Sequence, residues 1–281
     1  MSSKTYDFSV IVAIYNGVST VRECLASIVS QENVSVQLIV IDGASTDGTI
    51  EVLSEFSNDI SHFVSEKDSG IYDAWNKGLK VIDSEWVIFL GCDDYFWRSN
   101  VLAEVQPLLY SSSKEIPIIY GSVCVVNSRK DYLYSIGAPW SILKQTFYKM
   151  MCLPHPATFH RSTLFKDVGL FDSSFKIAGD YDFLLRALGS KDALYIGGEP
   201  IVGMRHGGMS SSPRNALKGL SEIYMARYKN GLKDFSLPLF LFKIRIYLRY
   251  FLGLLFSQKF CNIAYDFGRK LRGLPPLWTK V

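Results

Sequence analysis

The fold of this chain follows from one stretch, Trp86-Val87-Ile88-Phe89-Leu90-Gly91-Cys92-Asp93-Asp94. Its first five residues are bulky and apolar and include two β-branched side chains, which predicts a strand that is buried on both faces. The strand ends abruptly in a glycine and two adjacent carboxylates. Ligands of open α/β sheets bind just outside the carboxyl ends of the strands. The stretch therefore predicts a buried strand that presents paired negative charge to a ligand.

The first half of the chain alternates strands with helices around this stretch. Apolar runs predict strands over 8–14, 37–41 and 60–64, and helical spacing predicts helices that end near 29 and span 49–56 and 71–81. Such alternation is typical of an α/β fold with a mostly parallel central sheet, right-handed crossovers and helices on its faces.

The second half of the chain is less regular. We predict strands over 116–120, 122–126, 193–196 and 200–204, and helices over 100–109, 162–168, 181–188, 217–229 and 237–256. Residues 127–150 are rich in aromatic side chains but poorly periodic, which indicates a hairpin and a loop. Asp180 stands where a carboxylate would cap the helix over 181–188.

Composition limits the class of protein. The 281 residues are 48% hydrophobic, which is enough for a sizeable core and argues against disorder. The five cysteines are scattered without CxxC spacing, so neither a zinc ribbon nor a disulfide framework is indicated. A reducing compartment fits this pattern. The amino terminus lacks the features of a signal peptide, so we expect a cytoplasmic protein.

Charge is distributed unevenly along the chain. Residues 227–281 contain eleven Lys/Arg and two Asp/Glu, whereas residues 1–226 contain nineteen and twenty-five. Residues 237–256 are very apolar, but Lys243, Arg245 and Arg249 would each cost about 2.5–3.5 kcal/mol at the centre of a spanning helix. We therefore predict helices that lie on an anionic membrane surface through residues 237–272, with no nucleic-acid partner. The alternative is a helical hairpin packed on the core.

Carboxylates follow several of the predicted strands. Asp42, Asp68, the Asp93–Asp94 pair and Asp180 would converge at one edge of the sheet. A single Asp after a strand is more often a turn or cap residue than a ligand. Two adjacent carboxylates repel each other, however, and a Mg²⁺ or Mn²⁺ ion with diphosphate oxygens would relieve that repulsion.

Five motifs together carry a resemblance to a known family. They are SVIVAIYN at 9–16, VIDGASTDGT at 40–49, SEKDSGIYDAWNKG at 65–78, FLGCDD at 89–94 and AGDYDFLLR at 178–186. In these motifs and their order the chain resembles glycosyltransferase family 2, the inverting nucleotide-sugar enzymes of the GT-A fold. The resemblance covers about residues 8–210.

The resemblance implies a GT-A catalytic domain over 1–215, with a nucleotide-sugar-binding half over 1–110 and an acceptor-binding half over 111–215. Residues 216–281 would form a helical, membrane-associating region. The implied activity moves a hexosyl or N-acetylhexosaminyl group from a UDP-sugar to a glycan acceptor with inversion. The implied acceptor is linked to polyprenyl diphosphate, and the setting is bacterial surface polysaccharide biosynthesis at the inner face of the plasma membrane.

The resemblance also implies roles for single residues. The nucleoside end would comprise Ala13, Tyr15, Asp42, which would bind the uracil, and Asp68. The metal and diphosphate end would comprise Asp93, Asp94, Arg205 and His206, with Mn²⁺ or Mg²⁺ as the cofactor. Asp180 matches the general base that deprotonates the acceptor hydroxyl. His155, between two prolines, and Trp140, in the irregular segment, are candidates for the acceptor site.

The chain departs from the commoner family pattern at three places. Gly91 stands where many members carry an additional acid, so the acidic motif is one carboxylate short. Gly43 and Ala44 replace an acid and a glycine after Asp42. Gly179 stands where the family often has Glu immediately before the base, which raises the question of how Asp180 is oriented.

Other functions compete with this interpretation. A polyprenyl-phosphate glycosyltransferase would share the fold. A sugar-phosphate nucleotidyltransferase would also use an acidic pair with Mg²⁺, but it should show an N-terminal glycine-rich loop with a basic residue, and residues 12–17 contain one Gly and no Lys or Arg. A non-catalytic module that binds nucleotide sugars is the third alternative, and it would not depend on Asp180.

Overall fold

The structure is a computed structural model of the chain, and it describes residues 6–208, 213–233, 235–271, 273 and 276–279. The predicted regions 1–215, 216–281 and 237–272 therefore lie partly outside the described residues. Eleven strands occur within those ranges: β1 (Tyr6–Ile14), β2 (Val36–Asp42), β3 (Ile60–Ser65), β4 (Ser84–Gly91), β5 (Asp94–Phe96), β6 (Ile118–Tyr120), β7 (Val123–Val126), β8 (Tyr132–Ile136), β9 (Thr158–Arg161), β10 (Leu194–Tyr195) and β11 (Val202–Arg205).

Helices flank and follow the strands. Over the same ranges they are α1 (Val21–Val29), α2 (Thr49–Ser54), α3 (Ile71–Gly78), α4 (Val101–Ser111), α5 (Trp140–Phe147), α6 (Leu164–Asp167), α7 (Gly179–Leu188), α8 (Pro213–Lys229), α9 (Leu237–Leu255) and α10 (Gln258–Lys270), with a short 3-10 helix at His155–Ala157.

A central sheet of seven strands in the order β10-β6-β9-β4-β1-β2-β3 organises the molecule. The four strands from β4 to β3 run parallel, and β9 alone is antiparallel to its neighbours β4 and β6. The strands β1 and β4 are buried nearly throughout, as expected for strands covered by helices on both faces. The mostly parallel α/β architecture predicted from the sequence is thus confirmed.

The register of the parallel strands brings their carboxyl ends to one level. Ala13 pairs with Gly91, Ile14 with Asp42, and Asp42 in turn with Ser65. The loops that leave β1, β2, β3 and β4 therefore emerge at the same edge of the sheet. A second sheet in the order β5-β11-β7-β8 begins at this edge, because β5 starts at Asp94, three residues after β4 ends.

Three local predictions were wrong. The segment 127–150 is not only hairpin and loop, because it forms β8 and the helix α5. The buried strand β9 was missed, since the prolines before it and its His and Arg residues obscure its apolar pattern. Asp180 is not an N-cap: α7 starts at Gly179, and its N-cap is Ala178. Helix ends, and short strands flanked by polar residues, give weak sequence signals.

Three helices, α8, α9 and α10, follow the second sheet in the described part of the chain. Leu220 of α8 packs with Leu239 and Ile246 of α9, and these side chains form a small separate core. The other side of α9 leaves large apolar side chains exposed. Each helix in the described ranges is too short or too polar to cross a membrane.

Candidate active site

A cleft of about 770 Å³ opens at the carboxyl edge of the central sheet. Loops after β1, β3 and β4, the start of α7, the end of β11 and the C-terminal helices all contribute to it. The predicted site residues that line it are Ala13, Tyr15, Asp68, Asp93, Asp94, His155, Asp180, Arg205 and His206. Asp42 and Trp140 are not among its lining residues.

The acidic pair lies where β4 gives way to β5. The Asp94 side chain is 6% exposed, and its Oδ2 accepts a hydrogen bond of 3.1 Å from the Gly91 N–H. Burial raises the pKa of Asp94 well above its usual range, and the neighbouring charge of Asp93 raises it further. The pair is therefore a concentration of negative charge that a cation would stabilise.

Gly91 has a steric reason to be a glycine. A Cβ atom at position 91 would stand 2.7 Å from Asp93 Oδ1, closer than real Cβ contacts. The Asp93 carboxylate thus occupies the space that a side chain at 91 would need. A side chain at 91 would therefore require the Asp93 carboxylate, the free end of its side chain, to move.

Arg205 and His206 follow the last strand and border the acidic pair. The Arg205 guanidinium donates to the Asp93 carbonyl oxygen at 2.9 Å and forms an ion pair with Glu23. The His206 ring meets the Trp278 ring edge-on at 5.8 Å between centroids. No three His, Cys, Asp or Glu side chains among the described residues gather closely enough to hold a metal ion. The role of His206 as a third ligand stays a prediction.

The nucleoside end of the predicted site is only partly assembled. Asp42 is fully buried, and its carboxylate accepts hydrogen bonds from the Ser45 N–H (3.0 Å), the Ser45 hydroxyl and the Ser65 hydroxyl (2.6 Å). These bonds make Asp42 an organiser of the loop after β2, and its contact with the uracil stays a prediction. Tyr15, which is 66% exposed, and Asp68 do line the cleft.

Asp180 lies in the first turn of α7 and is half-buried. Its Oδ1 accepts hydrogen bonds from the Tyr181 N–H at 2.8 Å and from the Tyr72 hydroxyl at 3.2 Å. Burial raises the pKa of Asp180 to about 6, and these hydrogen bonds oppose that rise. A carboxylate with such a pKa is ionised at neutral pH and accepts a proton more readily than an ordinary Asp.

Gly179 allows Tyr72 to reach Asp180. A Cβ atom at position 179 would stand 2.7–2.9 Å from three atoms of the Tyr72 ring. A Glu at this position would therefore displace Tyr72. The hydroxyl of Tyr72, from α3, takes over the orientation of Asp180 in this chain. Sequence reasoning missed Tyr72, whose helical spacing marks it only as a residue of α3.

Glu222 is a second residue that sequence reasoning missed. Its buried carboxylate accepts hydrogen bonds from the N–H groups of Lys176 (3.0 Å), Ile177 (2.7 Å) and Ala178 (2.9 Å), the residues immediately before α7. It thus fixes the start of the helix that carries Asp180. Glu222 belongs to α8, more than 40 positions from its partners, and no local pattern signals that contact.

The two candidates for the acceptor site lie in different surroundings. His155 lines the cleft, with its ring 4.9 Å from that of Trp75 between centroids. Trp140 is 7% exposed, packs against Phe147 and donates from Nε1 to Asp192 Oδ1 at 2.7 Å. The segment that was expected to be irregular is a helix that turns Trp140 toward the core, so we assign it no role in the cleft.

Comparison with known proteins identifies related sequences. A family model described as "Glycosyl transferase family 2" matches residues 9–162. A "PGL/p-HBAD biosynthesis glycosyltransferase" from Mycobacterium tuberculosis is 28% identical over 182 residues, which are 64% of this chain and 68% of that protein. An uncharacterized glycosyltransferase of Rickettsia typhi is 27% identical over 245 residues, 84% of this chain and 75% of its own length.

Solved structures share the fold. S. aureus TarS 1–349 in complex with UDP-GlcNAc superposes with a TM-score of 0.59 at 22% identity, covering 78% of this chain and 66% of that one. This chain spans only 39% of the longer TarS chain. The mannosyltransferase PcManGT from Pyrobaculum calidifontis, in complex with GDP-Man and Mn²⁺, gives a TM-score of 0.60 at 18% identity and covers 99% of this chain and 84% of that one.

Proposed function

This chain belongs to glycosyl transferase family 2, and on that premise we propose that it transfers a sugar from a UDP-sugar to a hydroxyl of a lipid-linked glycan with inversion. The observation that carries this proposal is the presence in one cleft of Asp180, with its pKa of about 6, and of the paired carboxylates Asp93 and Asp94. Membership of this family favours glycosyl transfer over nucleotidyl transfer.

The reaction needs a base at the acceptor. We assign this role to Asp180, which removes the proton from the acceptor hydroxyl as that oxygen attacks the anomeric carbon. The new bond joins the acceptor oxygen to this carbon, the bond from the carbon to the diphosphate oxygen breaks, and UDP leaves with the electron pair. A single displacement of this kind inverts the anomeric centre.

The acidic pair has the chemistry of a divalent cation site. Carboxylate oxygens are the ligands that Mg²⁺ and Mn²⁺ prefer, and such ions often keep waters and take substrate phosphates to complete their coordination. The Arg205 cation is paired with Glu23, and it opposes the rise in the pKa of Asp94 less than burial and Asp93 produce it. When bound there, Mn²⁺ or Mg²⁺ would stabilise negative charge on the leaving diphosphate.

The nucleoside would occupy the part of the cleft formed by Ala13, Tyr15 and Asp68. The exposed Tyr15 ring offers a surface for the base, and Asp68 is held in place because its Oδ1 accepts from the Gly70 N–H at 2.9 Å. Ala13 lies near the end of β1, Tyr15 directly follows that strand, and Asp68 lies in the loop after β3. The strand β1 pairs with β4, which leads into the acidic pair.

A membrane surface is the proposed partner of the C-terminal helices. On α9 the side chains of Ile244, Tyr247, Leu248, Phe251 and Leu255 are all exposed and follow helical spacing, and we call them the apolar face. Residues 237–271 contain six Lys/Arg and one Asp, which suits anionic headgroups. On the other side of α9, Phe242 and Ile246 line the cleft, so a lipid-linked acceptor could reach Asp180 from this surface.

Release of UDP tests the proposed reaction. We expect one UDP-sugar of a panel to give Mn²⁺-dependent UDP release that increases when a polyprenyl-diphosphate-linked sugar is added. Release by no member of the panel would contradict the UDP-sugar assignment. The Asp180→Asn variant distinguishes an enzyme from a non-catalytic binding module. In a module the substitution would leave both UDP-sugar binding and UDP release as they are in the unsubstituted chain.

Vesicle sedimentation tests the membrane partner. The chain should sediment with vesicles of phosphatidylglycerol and not with vesicles of phosphatidylcholine alone. The double substitution Leu248→Glu and Phe251→Glu should abolish sedimentation, whereas Ile142→Glu, at an equally exposed apolar residue of α5, should not. Equal sedimentation of all variants would contradict the assignment.

A further inference from the structure

A short segment beyond α10 contributes a ring to the cleft. Residues 276–279 lie outside the last described helix, and Trp278 is one of the residues that line the cleft. The Trp278 ring meets the His206 ring edge-on at 5.8 Å between centroids and the Tyr265 ring of α10 at 5.9 Å. The segment therefore links α10 with the wall of the cleft.

One buried carboxylate of α10 holds this segment. Asp266 is 9% exposed, and its Oδ1 accepts hydrogen bonds from the N–H groups of Leu277 at 2.7 Å and Trp278 at 2.9 Å. Its Oδ2 accepts from the Thr279 N–H at 2.8 Å and from the Thr279 hydroxyl at 2.6 Å. Three consecutive backbone N–H groups and one hydroxyl thus share a single carboxylate.

These bonds depend on the charge of Asp266. Burial acts to raise the pKa of this carboxyl, but the bonds from Leu277, Trp278 and Thr279 outweigh burial and lower the pKa to about 2. Hydrogen bonds to an ionised acceptor are about twice as strong as those between neutral groups. A neutral amide at position 266 has one acceptor oxygen, and its NH₂ group can only donate, so it would hold the segment less tightly.

The place of the Trp278 ring connects it with the acidic pair. His206, which this ring contacts, directly follows Arg205, and the Arg205 guanidinium donates to the Asp93 carbonyl oxygen. A Cβ atom at Gly208 would stand 3.4 Å from Asp93 Oδ2, so the chain from 205 to 208 runs beside the Asp93 carboxylate. Trp278 therefore borders the part of the cleft assigned to the diphosphate.

Anchoring of the segment does not require the Trp278 side chain. Leu277 is 6% exposed and supplies a buried apolar contact, and the bonds to Asp266 come from the backbone and from Thr279. The Trp278 side chain instead lies in the cleft wall. A large ring at this place would keep water from the diphosphate, which strengthens the electrostatic interactions there.

We propose that Asp266 is a positioning residue that holds Trp278 against His206, so that the Trp278 ring forms the cleft wall at its diphosphate end. The effect of this arrangement on the reaction rests on the proposed function. The position of the ring does not rest on it, and the experiment measures the two separately.

Three substitutions and one control test the proposal. Asp266→Asn keeps the size of the side chain and removes its charge, Thr279→Val removes one hydroxyl bond, and Trp278→Ala removes the ring. Asp192→Asn is the matched control, because Asp192 also fixes a tryptophan, accepting from Trp140 Nε1 at 2.7 Å, but Trp140 does not line the cleft. Thermal unfolding by calorimetry establishes that each variant is folded.

The first measurement follows the indole N–H of Trp278 by ¹H–¹⁵N NMR without any nucleotide. The chain contains five tryptophans, and the resonance that Trp278→Ala lacks identifies this one. Asp266→Asn should move the Trp278 resonance toward that of free indole in water, and Thr279→Val should move it less in the same direction. Asp192→Asn should leave the Trp278 resonance in place.

The second measurement compares UDP with uridine. Asp266→Asn and Trp278→Ala should weaken UDP binding by about three- to tenfold and leave uridine binding unchanged, because uridine lacks the diphosphate. In steady-state transfer the KM for the donor should rise by a similar factor, while kcat at saturating donor should stay within about twofold of normal. Asp192→Asn should match the unsubstituted chain throughout.

Four results would overturn the proposal. They are a Trp278 resonance that Asp266→Asn does not move, normal UDP binding by Trp278→Ala, equal losses of UDP and uridine binding, and tighter UDP binding by Asp266→Asn. The third result would mean general loosening of the cleft, and the fourth would mean that the segment obstructs it. If the unsubstituted chain binds no uridine nucleotide, the proposed function is contradicted, and the NMR measurement alone then decides whether Asp266 positions Trp278.

Discussion

The cleft contains two acidic regions that the structure treats differently. At one, a single carboxylate, Asp180, accepts hydrogen bonds from Tyr72 and from the backbone of its own helix. At the other, Asp93 and Asp94 are adjacent, and the Asp94 carboxylate accepts a hydrogen bond from the Gly91 backbone. Burial raises the pKa of both Asp180 and Asp94. For Asp94 the charge of Asp93 is the second-largest cause of the shift, whereas for Asp180 the charge of Glu222 contributes least.

This difference shows how one kind of side chain can serve two purposes. An isolated carboxylate with a pKa near 6 can take a proton at neutral pH and release it again. A repelling pair is a good place for a cation, because the positive charge removes the repulsion between the two carboxylates. Four predictions, from the largest expected effect to the smallest, test whether the two regions divide the work in this way.

Asp180→Asn should cause the largest loss. Removal of a general base typically lowers the rate by about 10²–10⁴-fold, so we expect kcat to fall by that factor while calorimetry shows UDP-sugar binding within about twofold of normal. A kcat that stays within a few fold of normal would show that another group takes the proton.

Asp94→Asn tests whether the acidic pair binds the metal ion. Transfer should fall by about 10²–10³-fold, since an electrostatic contact to developing charge is lost. The raised pKa of Asp94 means that its ionised form destabilises the folded chain above the unfolded pKa, so the neutral Asn should raise the unfolding temperature without metal. Calorimetry should show that Mn²⁺ raises the unfolding temperature of the original chain but not of the variant. A variant with normal Mn²⁺ stabilisation would place the cation elsewhere.

The pH dependence of kcat/KM should follow the ionisation of Asp180. Because the base must be ionised, kcat/KM should be level at and above neutral pH and fall as pH drops through about 6, approaching a tenfold loss per pH unit below that value. Steady-state rates from pH 4.5 to 8 check this, with UDP binding followed over the same range as a control for unfolding. A midpoint near 4 would mean that Asp180 titrates as an ordinary exposed Asp.

Two substitutions around Asp180 should move that midpoint in opposite directions. The Tyr72 hydrogen bond lowers the pKa of Asp180, so Tyr72→Phe should move the midpoint to higher pH. The charge of Glu222 raises the same pKa, so Glu222→Gln should move the midpoint to lower pH and also lower stability by about 1–2 kcal/mol, because it weakens bonds to three backbone N–H groups. Shifts in the same direction would mean that both changes act through general loosening of the cleft.

Much of this site was predictable because its signals are local. The run from Trp86 to Leu90 predicts a buried strand, and Asp93 and Asp94 follow it directly, so their place at the carboxyl edge of the sheet depends on few residues. For Asp42 the position at the end of β2 was predictable, but its hydrogen bonds with Ser45 and Ser65 were not. Side-chain direction at a strand end depends on neighbouring loops that the motif does not specify.

By itself, the sequence determined the α/β class, the family, the carboxylates at the strand ends and the basic, apolar character of the C-terminal helices. These properties follow from periodicity, composition and motifs within about twenty residues. Only the tertiary structure decided that Gly179 admits Tyr72 and that Glu222 fixes the start of α7. Each of these depends on close contacts between segments distant in the chain, and contact at a few ångströms is a property of packing that no local pattern encodes.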